Sequence, residues 1–63
     1  MKHYKGLAHI AVYTTDLSSS IRFYEALGGI CTMRGEVQKK TGVNQLAMIH
    51  LVNFEIELIE PGD

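Results

Sequence analysis

The chain has 63 residues, 46% of them apolar and 21% charged, with a formal net charge of −1. That length holds one small domain at most, with less core than makes a single domain comfortably stable, so a metal or a partner is expected to supplement it. Six Lys and Arg, scattered among seven Asp and Glu, form no basic patch for nucleic acid, and no apolar run approaches the ~20 residues of a membrane span.

The N-terminus MKHYKG lacks the apolar segment of a signal peptide, and the lone cysteine, Cys31, has no internal disulfide partner. A reducing, cytoplasmic setting is therefore expected, with Cys31 as a small core residue.

Residues 7–14, LAHIAVYT, are rich in β-branched and apolar side chains and predict a strand. The period then changes. In DLSSSIRFYEALGG, Asp16 or Ser18 can cap a helix, and Leu17, Ile21, Tyr24 and Leu27 repeat at three- and four-residue spacing until Gly28-Gly29 stops it. A strand at 30–38, ICTMRGEVQ, contains a glycine; a turn at KKTGV leads into a second strand at 44–52, NQLAMIHLV. A turn around Val52-Asn53 precedes the last strand, FEIELIEP, which Pro61-Gly62 ends. The order is β-α-β-β-β over a single module spanning 1–63, an α+β domain with a four-stranded mixed sheet and one helix on one face.

One helix covers only one face of such a sheet. Alternation puts Ala8, Ile10 and Val12 on one side of the first strand and Leu7, His9, Ala11 and Tyr13 on the other; on the last strand Ile56 and Leu58 oppose Glu55, Glu57 and Ile59. The purely apolar sets are assigned to the helix side, so the other face is either an exposed patch or half of something.

That second face carries His9 and Glu57 on the first and last strands. Singly, each has an ordinary reading, as a structural or exposed histidine and a solvated carboxylate. Together they read differently: if the strands are neighbours the two converge as ligands of a divalent metal, and a carboxylate on a face that becomes buried must be paired or metal-bound. His50, near a turn, is expected to be exposed, and Glu55 to be solvated near the strand's beginning. Arg34, on a face with Thr32 and Glu36, is a solvated arginine or a contact for an anionic substrate.

Two stretches, HIAVYTTDLSSSIRFYEALGG at 9–29 and LAMIHLVNFEIELIEP at 46–61, together resemble the glyoxalase/bleomycin-resistance/dioxygenase group, the vicinal oxygen chelate superfamily. The resemblance implies a β-α-β-β-β module that pairs with a second one so that curved sheets enclose a metal site. It implies His9 as the first-strand ligand and Glu57 as the last-strand ligand, with Phe23 and Tyr24 packing on the sheet. A divalent Zn, Ni, Co or Mn ion is the cofactor it implies, and a small molecule with vicinal oxygens the substrate.

The function implied is half of a lactoylglutathione lyase-like site, in which an enediolate or enolate is stabilised while a carboxylate, Glu57, exchanges protons. Alternatives are a methylmalonyl-CoA epimerase-like isomerase, a non-enzymatic bleomycin-resistance-type binding module, and a small dimeric domain without activity. The binding module is disfavoured because it is expected to lack the ligand residues that both stand here. Since a typical member has two modules, the second is expected in a longer chain, of which this would be the N-terminal half, or in a homodimer. The isolated chain is expected to be inactive.

Overall fold

The structure, a computed structural model, describes residues 8–62, with side chains from Ile10 onward. Strand β1 (Ala8–Tyr13) is followed by helix α1 (Leu17–Ala26), and then by β2 (Ile30–Lys39), β3 (Gly42–Leu51) and β4 (Phe54–Glu60). The strands form one sheet in the order β1-β4-β3-β2, with β1 parallel to β4 and the other neighbours antiparallel. The expected α+β class, mixed sheet and single helix are all present. Leu7, expected in the first strand, lies outside the described residues.

The first hairpin is tighter than the sequence suggested, and the second turns at Val52-Asn53 as expected. Lys39 pairs with Gly42 and Leu51 with Phe54, so each turn has only two residues between its strands. Val52, expected at the end of a strand, therefore stands exposed at a turn. Between Cys31 and Met33 the register of β2 slips by one residue, leaving Thr32 as the extra residue of a bulge. Gly35, by contrast, is regularly paired with Leu46.

Helix α1 starts and stops through local chemistry. Asp16, with extended backbone at φ −148°, accepts a hydrogen bond from the Ser19 N–H at 3.1 Å and another from the Ser19 hydroxyl at 2.9 Å, which makes it the N-cap. Those bonds, with the Ser19 N–H first, hold its carboxyl below the usual value of 3.8. At the other end, Gly28 takes φ +98° and donates to the Glu25 carbonyl, while Gly29 donates to that of Tyr24. This is the paired-bond ending that needs a left-handed residue just beyond the cap, the conformation glycine adopts without a Cβ clash.

The core lies between α1 and one face of the sheet. Leu17 and Ile21 from the helix pack with Ala47 and Ile49 of β3 and with Ile56 and Leu58 of β4. Ile49 and Leu58 are fully buried, and each contributes roughly 1.5–3 kcal/mol by removing its side chain from water. Among the described residues the helix packs against β2, β3 and β4, Val12 of β1 packs at the edge of the core, and Ile10 is largely exposed on the helix side. Leu27 and Phe23 are also exposed. Phe23, which the resemblance implied would pack on the sheet, stacks edge-on against Tyr24 at 5.0 Å between ring centroids instead.

The result is a slab of 35 × 30 × 15 Å. Its short axis fits one helix on one sheet, and among the described residues nothing covers the second face.

Candidate functional site

Register fixes what the uncovered face carries. Parallel pairing sets His9 beside Glu55, Ala11 beside Glu57 and Tyr13 beside Ile59. Antiparallel pairing sets His50, Met48 and Leu46 beside the same three residues of β4, and Ile30, Met33 and Gly35 continue the rows onto β2. Three rows therefore cross the sheet: His9, Glu55, His50, Ile30; then Ala11, Glu57, Met48, Met33; then Tyr13, Ile59, Leu46, Gly35. Neighbouring strands lie about 4.8 Å apart, so residues of one row are side by side.

The expected adjacency of the first and last strands is present, and it brings the His9 position and Glu57 to adjacent rows of adjacent strands. The side chain of His9 lies outside the described part of the structure. Glu57 is half-buried between Ala11 and Met48, and no hydrogen bond or ion pair reaches its carboxylate among the described residues. A carboxylate in that apolar frame keeps its lone pairs for a group the described residues do not supply. As donor chemistry, one carboxylate oxygen with an imidazole position one row away fits part of a divalent-ion shell.

Glu55 departs from expectation. It is not simply solvated: its side chain is 26% exposed, and its Oε2 lies 3.6 Å from Nδ1 of His50, itself 41% exposed rather than a bare turn residue. The two-residue turn of the β3–β4 hairpin places them directly opposite each other. Direct cross-strand pairs on one face interact, which is the signal the sequence held once the turn length was known.

Glu60 has a role that sequence reasoning missed. Its Oε1 accepts a 2.7 Å hydrogen bond from the backbone N–H of Leu17, the first residue of α1. One of the unpaired amides of the helix start is thus satisfied from the end of β4, and the negative charge sits favourably at the positive end of the helix. Around it, the Thr14 N–H donates to the Ile59 carbonyl at 2.8 Å and the Thr14 hydroxyl lies 2.7 Å from that of Ser20. The three glutamates of β4 thus have three situations: Glu55 faces a histidine, Glu57 stands among apolar residues, and Glu60 holds the helix.

Arg34 is placed away from these rows. Past the bulge it pairs with Ala47, on the helix side, and lines a cleft between α1 and β2 together with Ser18, Ile21, Arg22, Glu25 and Cys31. Glu36, on the same side, accepts from the Gln45 amide at 3.1 Å. Arg34 therefore does not share a sheet face with Glu57.

Among the described residues no three His, Cys, Asp or Glu side chains gather closely enough to hold a metal ion, and no helix is long and apolar enough to cross a membrane. No family model, no curated protein and no solved structure matches the chain.

Proposed function

We propose that the chain is one half of a metal-dependent lyase or isomerase site that acts, in the manner of a lactoylglutathione lyase, on a small cytoplasmic substrate bearing vicinal oxygens. The observation that carries the reading is Glu57: a half-buried carboxylate without a partner among the described residues, on an uncovered sheet face, one row from the His9 position on the adjacent parallel strand. This resembles the ligand placement of the vicinal oxygen chelate superfamily, whose second β-α-β-β-β module would cover the face.

In this reading Glu57 and His9 would hold the ion from this half, and a second copy or a second module would supply the remaining ligands. A bound divalent ion would stabilise negative charge developing on the substrate's oxygens. Ala11, Met48 and Ile59 exclude water around the carboxylate once the face is covered, which strengthens its interaction with any cation brought beside it. A glutamate oxygen in such a place also serves to carry a proton to or from the adjacent carbon of the substrate.

Metal analysis coupled to sizing tests this. His50 is replaced by alanine throughout, so that the imidazole on the same face cannot act as a substitute ligand. The assembled His50→Ala protein is expected to retain its ion, and the further changes Glu57→Ala and His9→Ala are each expected to abolish retention. Equal metal content in the three proteins, or an ion-free monomer in every case, contradicts the reading.

A further inference from the structure

Strand β2 is an edge of the sheet: it pairs with β3 alone and is exposed along almost its whole length. We infer that this edge pairs with the same edge of a second copy, antiparallel about a two-fold axis at Gly35, so that the two sheets become one. The inference does not rest on the metal-site reading, since His9 and Glu57 lie on β1 and β4, away from this edge.

The sequence around Gly35 is complementary to its own reverse. In TMRGEVQ, residues 32–38, Arg34 and Glu36 flank the glycine with opposite charges, Met33 and Val37 flank those with apolar side chains, and Thr32 and Gln38 close the run with polar ones. A self-pair centred on Gly35 therefore sets Arg34 opposite Glu36 of the second copy and Met33 opposite its Val37, each twice. The faces agree as well. Arg34 and Glu36 pair with Ala47 and Gln45 on the helix side, whereas Met33 and Val37 lie on the open side, both largely exposed. Opposite charges directly across an antiparallel pair attract, and like charges there repel. Arg34 has no hydrogen bond or ion pair among the described residues. Glu36 accepts one bond, from the Gln45 amide, and keeps further acceptor positions.

The backbone has the matching phase. A two-residue turn closes the β2–β3 hairpin at Lys39 and Gly42, and the pair flanking such a turn is hydrogen-bonded. Counting back by twos, Val37, Gly35 and Met33 turn their N–H and C=O groups toward β3, while Gln38, Glu36 and Arg34 turn theirs outward. In the self-pair Arg34 and Glu36 are then the hydrogen-bonded partners, and Gly35 meets its own copy at the position between them, as the alternation of an antiparallel ladder requires. A Cβ on Gly35 would meet nothing, so the axis itself is open. Proline and charged side chains are devices that keep an edge unpaired. The segment Met33–Val37 has no proline, and its two charges are of opposite sign and answer each other across the axis.

Sedimentation velocity of the full chain over a concentration series tests this with two charge reversals. The parent is expected to dimerise, and Arg34→Glu and Glu36→Arg are each expected to weaken the dimer by about tenfold or more, because only like charges then face each other. An equal mixture of the two variants is expected to recover a dimer near the parent's affinity, since every facing pair is again of opposite sign; this recovery also shows that both variants fold. A parent that stays monomeric, a dimer that neither reversal weakens, or a mixture no tighter than the separate variants overturns the pairing.

Discussion

Single residues divide the work of the last strand. Glu57 and Glu60 are three positions apart, so they point to opposite faces, and that parity alone sends one to the open face and the other to the start of the helix. Replacing Glu60 with Gln keeps the size and an acceptor oxygen but removes the charge at the helix N-terminus, whereas Ala removes the bond to Leu17 altogether. Glu60→Ala is expected to lower unfolding free energy by about 1–2 kcal/mol and Glu60→Gln by less, measured by urea denaturation. Equal stability in all three would mean that the bond contributes nothing. Glu60 was not legible beforehand because its partner lies 43 residues away, across the sheet and the loop before the helix. The sheet face of Glu57 was legible because alternation along one strand needs no knowledge of any other. Glu55 obeys the same alternation, but its environment depends on His50, and that depends on a turn two residues long.

At the scale of elements, local signals were sufficient wherever the determinants are local. The helix stripe, the Asp16 cap and the Gly28-Gly29 stop all lie within one stretch of chain, and the structure has all three. The stripe overran at Leu27, which becomes the exposed C-cap once Gly28 turns the backbone away. The parallel pairing of β1 with β4 joins residues some 46 positions apart, and no local pattern encodes it. The bulge at Thr32 was also hidden, since the glycine of that strand sits elsewhere, and one residue of slip moves Arg34 to the helix side. Gly29 has a second duty that its place after the helix did not reveal. A Cβ there would stand 2.7 Å from Cγ2 of Ile49 and 3.0 Å from the Tyr24 carbonyl, between the helix end and a fully buried core residue. Gly29→Ala is therefore expected to cost about 1–3 kcal/mol by overpacking, read as a lower urea midpoint with an unchanged slope. At Gly35 a Cβ would meet nothing, so Gly35→Ala should leave the midpoint no lower. A Gly29 variant as stable as the parent would show that the helix end is not seated on Ile49.

For the whole molecule, the physical problem is a sheet with one face packed and one face bare. The packed side buries a small cluster centred on Ile49 and Leu58, and a chain of this size has an expected stability of only roughly 3–9 kcal/mol. The bare side presents Ile30, Met33, Val37 and Tyr13 to solvent around two glutamates and a histidine. Covering such a face would add apolar burial, and would at the same time force each carboxylate on it to find a cation or a donor. In the proposed reading metal binding and assembly would be coupled, the ion neutralising what a second module would bury. The most direct measurement is the number of ions per chain in the assembled fraction of the His50→Ala protein. The account predicts one ion for every two chains, lost when Glu57→Ala is added; one ion per chain, or the same content with and without Glu57, would contradict it.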